Sequence, residues 1–175
     1  RALNETVPQA LAMIDVTQRP QVTHQTGTAN LDEVRAGYER AGVDGELLPF
    51  IDDMAQRLAD CDVIVCRAGA VTVSELCAAG VAAVLVPLVV STTSHQRDNA
   101  QWLAGQGAGI HLPQAELTPK RLAELLSGLT REALLAMANK ARALAQPKSA
   151  ARVADDHGGT RGRADVHDPH RGHGP

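Results

Sequence analysis

The chain has 175 residues, 17 Lys and Arg against 20 Asp and Glu for a formal charge of -3, 44% hydrophobic residues, and only Tyr38, Phe50 and Trp102 as aromatics. That length suits one globular domain, and the acidic balance and scarcity of rings remove the basic track and stacking platform that nucleic acid needs, so no nucleic-acid partner is expected. The longest apolar run, Val81 to Val90, is broken by Pro87 and falls short of the roughly 18 residues of a membrane span.

In chain order, helix-period stretches at residues 4–16, 31–41, 52–59, 71–79, 95–106, 118–127 and 131–145 alternate with apolar runs of strand length at 21–25, 46–50, 62–66, 82–86 and 108–111. Gly42 and Gly80 stand where helices should stop, and Thr118-Pro119 supplies an N-cap followed by Pro at the first helical position. Continuous apolar strands alternating with helices predict an α/β fold, a Rossmann-like doubly wound parallel sheet covered on both faces. The chain opens on a helix, so a first strand and its loop are expected ahead of Arg1. From Asp155 to Pro175 only Ala164 and Val166 are apolar, and this stretch is expected to be a disordered tail.

Ligands of such sheets bind beyond the carboxyl ends of the strands, which directs attention to the loops after His24, Leu48, Val65 and Val86. The clearest constellation is CRAGAVTVSE at 66–75, a strand end turning through small residues into a helix. Amides at Gly69, Ala70, Val71 and Thr72 suit a phosphate at the helix start, Gly69 permits close approach, and Arg67 is either a phosphate partner or an ordinary surface charge. Glu75 lies one turn further on, where its carboxylate can accept from a ribose diol. Thr72-x-x-Glu75 reads equally as a capping box that satisfies only the helix's own amides.

A second polar loop, STTSHQRDN at 91–99, follows the buried strand AAVLVP. There His95 and Asn99 share a helix face, and Gln96 and Asn99 carry amides suited to sugar hydroxyls, against a plain reading in which Ser94 caps the helix. A third, PFIDDM at 49–54, offers Phe50, Ile51 and backbone groups to a flat base, ahead of a helix capped by Asp52 or Asp53, where a cap or dipole role for Asp52 is favoured over metal binding. His24 at a strand end reads as structural. Cys61, Cys66 and Cys77 read as reduced core residues of a cytosolic protein, and their spacing offers no zinc set. Gly105, Gly107 and Gly109 lie between helix and strand, the wrong order for a dinucleotide fingerprint, and Ser74 lacks the glycines of a nucleophile elbow.

FIDDM at 50–54, CRAGAVTVSE at 66–75 and HQRDNA at 95–100, followed by LLAMANKARALAQP, occur in order. Over about residues 1–154 this closely resembles the C-terminal half of the MurG-type family of UDP-N-acetylglucosamine:undecaprenyl-pyrophosphoryl-muramoylpentapeptide N-acetylglucosaminyltransferases. The resemblance implies the donor-binding domain of a GT-B-type inverting glycosyltransferase, peripheral to the cytoplasmic face of the bacterial inner membrane and forming lipid II from lipid I without a cofactor or metal. It implies ribose binding at Glu75, phosphate approach at Val71 and Thr72, uracil near Ile51 and the sugar at Gln96, with His95 an auxiliary contact. It places a Gly-rich loop before Arg1 and the acceptor site, catalytic base and membrane-facing patch in a preceding domain, so no residue here is assigned as the base. Val89 to Ser94 matches the family less closely, and the sequence from Asp155 replaces an expected closing helix. Another GT-B glycosyltransferase, a UDP-sugar epimerase domain and an inactive nucleotide-binding fragment are the alternatives.

Overall fold

The computed structural model describes residues 1–90 and 94–145. The tail expected from Asp155 and the middle of the loop at 91–93 lie outside the described residues. Chain order is α1 (Ala2–Ala12), β1 (Thr23–Gln25), α2 (Leu31–Ala41), β2 (Glu46–Leu48), α3 (Met54–Asp60), β3 (Val63–Cys66), α4 (Ala70–Ala79), β4 (Ala82–Leu85), α5 (His95–Gly105), β5 (Gly109–His111), α6 (Pro119–Gly128) and α7 (Arg131–Ala145). Every helix and strand predicted from the periodicity is present, with ends shifted by a few residues.

The largest shift is in α1, which runs over 2–12 instead of 4–16. Asp15 Oδ1 accepts from the amide of Thr17 at 2.9 Å and from its hydroxyl at 2.6 Å, closing a turn that competes with further helix. Elsewhere the expected punctuation holds. Gly42 and Gly80 both end their helices at φ 66°, the left-handed conformation that glycine adopts without steric cost. Thr118 Oγ1 accepts from the Arg121 amide at 3.1 Å, with Pro119 opening α6.

All strand pairings are parallel, in two ladders: β1 with β2, and β3-β4-β5. β1 and β3 each have one paired neighbour, and residues of α1 pack against both ladders. Leu11 packs with Val34, Tyr38 and Val43 beside the first ladder. Its neighbours Ala10 and Ile14 pack with Val84, Val86, Leu112 and Leu122 of the second. The opposite face of β4 presents Ala83 and Leu85 to Leu76, Leu103 and Ala141 of α4, α5 and α7. Residues 82–85 are all fully buried, as expected of a strand covered on both faces. Burying a leucine such as Leu85, Leu76 or Leu103 contributes about 1.5–3 kcal/mol.

One core expectation is corrected: of the three free cysteines, Cys77 is buried, but Cys61 is exposed just past the end of α3. Parallel pairing is the feature that creates a place for a ligand. It points every strand's carboxyl end the same way within a ladder and gathers the adjoining loops at one edge.

A crevice at the carboxyl ends of the strands

α4 follows β3 after a three-residue turn, and its N-cap is Gly69, with no side-chain cap. The first intrahelical bond runs from the Val73 amide to the Gly69 carbonyl at 2.9 Å, so the amides of Ala70, Val71 and Thr72 have no partner within the helix. This decides between the two readings of Thr72 and Glu75. Thr72 sits inside the first turn instead of at the cap, so the two residues do not form a capping box. Glu75 is exposed one turn further on, beside Ala70, Val71, Ser74 and Ala78 on a shallow open face of the helix.

Gly69 has φ -61° and ψ 150°, which any residue can adopt. A Cβ built there would meet only Thr72 Oγ1, at 3.8 Å. Neither backbone strain nor internal packing requires a glycine at this point, and its bare Cα keeps the approach to the α4 amides open.

Arg67 is positioned differently from a free phosphate partner. Its Nη1 donates to the Val86 carbonyl at 3.1 Å and to Gln114 Oε1 at 2.6 Å. The guanidinium therefore ties the end of β3 to the segments that come after β4 and β5. Burial lowers its pKa from the usual arginine value. Gln114 escaped the sequence reading because the loop after β5 was not among those singled out, and no spacing rule links it to a residue 47 positions earlier.

The described part of the second polar stretch, from Ser94 to Asn99, is equally specific. Ser94 is the N-cap of α5 but makes no capping bond; its hydroxyl donates to Asp98 Oδ2 at 3.2 Å. His95 is exposed. The pair that converges is Gln96 and Asn99, in place of the expected His95 and Asn99. Gln96 Oε1 accepts from the amides of Leu88 at 2.8 Å and Ala68 at 3.3 Å, and Asn99 Nδ2 donates to the Ala68 carbonyl at 2.9 Å.

At the first ladder the side chain of Ile51 is buried, and its amide donates to Gln25 Oε1 at 3.0 Å. Phe50 beside it is 64% exposed. Gln25, a residue whose own role was not legible in the sequence, thus holds the backbone at Ile51 through its amide. Of Asp52 and Asp53, the two residues expected to cap α3, Asp53 holds the N-cap position, by backbone only, since its carboxylate pairs with Arg57 at 3.3 Å. His24 is structural as expected, buried between Tyr38 and Asn4.

The open helix start and the exposed Glu75 one turn on sit on an α/β scaffold that comparison with known proteins identifies. The pattern of the Glycosyltransferase family 28 C-terminal domain matches residues 1–155. The chain belongs to this family. A UDP-N-acetylglucosamine--N-acetylmuramyl-(pentapeptide) pyrophosphoryl-undecaprenol N-acetylglucosamine transferase of Methylibium petroleiphilum is 66% identical over 158 residues, 89% of this chain and 43% of that protein. The transferase of the same name from Chromobacterium violaceum is 63% identical over 157 residues, 89% of this chain and 44% of that protein.

Among solved structures, Acinetobacter baumannii MurG superposes with a TM-score of 0.78 at 41% identity, over 88% of this chain and 47% of that one. The glycosyltransferase VinC, solved with dTDP, shares the fold at 20% identity and a TM-score of 0.62, covering 87% of this chain and 36% of that one. This glycosyltransferase family 28 domain therefore spans under half the length of the relatives it matches.

Proposed function

We propose that the domain binds UDP-N-acetylglucosamine and is the donor-holding part of an inverting glycosyltransferase that passes N-acetylglucosamine to lipid I, forming lipid II in peptidoglycan synthesis. The observation that carries this reading is the start of α4. Three amides without a partner among the described residues, Ala70 to Thr72, open at the carboxyl end of β3, with the exposed Glu75 carboxylate one turn beyond. The amides and the helix dipole suit a diphosphate, and a carboxylate at that distance suits the two hydroxyls of a ribose.

The backbone at Ile51, held through its amide by Gln25, and the exposed Phe50 beside it support a place for the uracil after β2. Gln96 keeps its NH2 group unspent after its oxygen has taken two amides, which leaves a donor for the sugar. As the glycosidic bond to the diphosphate breaks, negative charge grows on the leaving UDP. Amides already aimed at the phosphates stabilise that charge most in the transition state, which lowers the barrier. The acceptor site and the base that takes the proton from the muramoyl hydroxyl belong to the rest of such a transferase, and the assembled enzyme acts at the cytoplasmic face of the membrane. No helix among the described residues is long and apolar enough to cross a membrane.

Calorimetric titration of the chain with UDP-N-acetylglucosamine, with UDP-glucose and NAD as controls, tests the reading. Saturable binding of UDP-N-acetylglucosamine in preference to NAD supports it. A folded chain that binds none of the three would sink it for this domain taken alone.

A further inference from the structure

One guanidinium joins the two ends of the turn that carries Phe50 and Ile51. Arg57, one turn into α3, donates from Nη1 and Nη2 to the two carboxylate oxygens of Glu46, at 2.7 and 3.0 Å. Its Nε faces both oxygens of Asp53 at 3.3 Å. Glu46 opens β2 and Asp53 is the N-cap of α3, so the segment between them is β2 and the turn at 49–53. Thr23, paired with Glu46 in the parallel register, donates its hydroxyl to Glu46 Oε2 at 3.0 Å and brings β1 into the same network.

The opposite side of α3 is apolar. Leu58 and Met54 pack in the cluster that holds Val73 and Leu76 of α4. α3 therefore rests on the phosphate-facing helix through its leucine and grips the first ladder through the neighbouring arginine. Thr23 and Glu46 begin their strands, which places the guanidinium away from the carboxyl edge where a ligand would sit. We propose that Arg57 is a positioning residue for the nucleobase: by tying Asp53 to Glu46 it sets the 49–53 turn relative to α4, without touching the nucleotide. The proposal rests on the nucleotide-sugar reading of the domain. Only a planar fork can hold both oxygens of one carboxylate while its third nitrogen meets another, so lysine cannot substitute.

The test compares uridine, UDP and inorganic pyrophosphate as ligands of the full chain and of its Arg57→Ala and Arg57→Lys variants, by calorimetry. Both variants are expected to lose about three- to tenfold in affinity for uridine and the same factor for UDP, with pyrophosphate unchanged. Melting temperatures should stay within about 3 °C, because exposed ion pairs contribute little to global stability. A loss that extends to pyrophosphate would show general loosening and overturn the proposal. Full recovery in Arg57→Lys would reduce the role to net charge and overturn it equally, as would undiminished uridine affinity in Arg57→Ala.

If the unaltered chain binds none of the three, the nucleotide reading fails, and amide hydrogen exchange in the ligand-free chain still decides whether Arg57 holds the turn. Arg57→Ala is then expected to speed exchange at the Ile51 amide at least about fivefold while leaving the amides inside α4 unchanged. Unaltered exchange at Ile51 would refute the role.

Discussion

His24 Nδ1 lies 2.9 Å from the Tyr38 hydroxyl in the core between β1 and α2, the two rings meeting edge to face with centroids 5.7 Å apart. On the other side His24 Nε2 lies 2.9 Å from Asn4 Oδ1, and Asn4 Nδ2 donates to the Thr26 carbonyl at 3.0 Å. That last bond orients the Asn4 amide and so assigns the proton to His24 Nε2, leaving Nδ1 to accept from Tyr38. The network is complete only with a neutral imidazole.

Burial holds the His24 pKa below its ordinary value and pushes that of Tyr38 up to about 12. The unfolded chain therefore binds the His24 proton more readily than the folded one. The stabilisation is fully present above the unfolded pKa of about 6.5 and is lost as pH falls through the lower folded value. Thermal melts from pH 7.5 to 5.0 are expected to show a falling Tm, and His24→Gln should flatten that slope. An equal slope in both proteins would remove His24 as the cause.

Glu75 and Thr72 are expected to matter for binding and not for folding, because Gly69, not Thr72, occupies the cap. Glu75→Ala should leave Tm nearly unchanged. It should weaken UDP binding by about 1.5–3 kcal/mol, the range for hydrogen bonds to a charged group. A drop in Tm without a change in affinity would restore the capping role that the helix boundaries argue against.

Gly69→Ala separates access from stability. The backbone angles suit alanine and its Cβ would be in ordinary contact at 3.8 Å, so unfolding free energy is expected to change by less than about 1 kcal/mol. The added methyl stands over the open amides, and UDP affinity should fall about tenfold while denaturant melts stay close to those of the unaltered chain. Undiminished affinity would place the phosphates elsewhere.

The Arg67 and Gln114 side chains should behave as one unit. A double-mutant cycle of Arg67→Ala and Gln114→Ala, read by urea unfolding, is expected to give a coupling of roughly 0.5–1.5 kcal/mol, discounted for partial exposure. Additive losses would mean that the 2.6 Å contact carries no net energy in solution.

The amino-acid sequence by itself determined the alternation of helices and strands, their parallel pairing, and the glycine stops at Gly42 and Gly80. These arise from local periodicity and turn chemistry, which a residue expresses through its near neighbours. Only the tertiary structure decided which of the candidate side chains remain free. Thr72-x-x-Glu75 satisfies the capping-box spacing wherever the helix starts, and the boundary at Gly69 was needed to release it. Arg67, Gln96 and Asn99 are polar residues beside a crevice in the sequence, yet in the fold they are spent on backbone groups 19, 28 and 31 positions away. Buried carbonyls and amides without partners are costly, so the fold recruits whichever long polar side chain reaches them. That choice depends on distances between elements and leaves no trace in the spacing of residues along the chain.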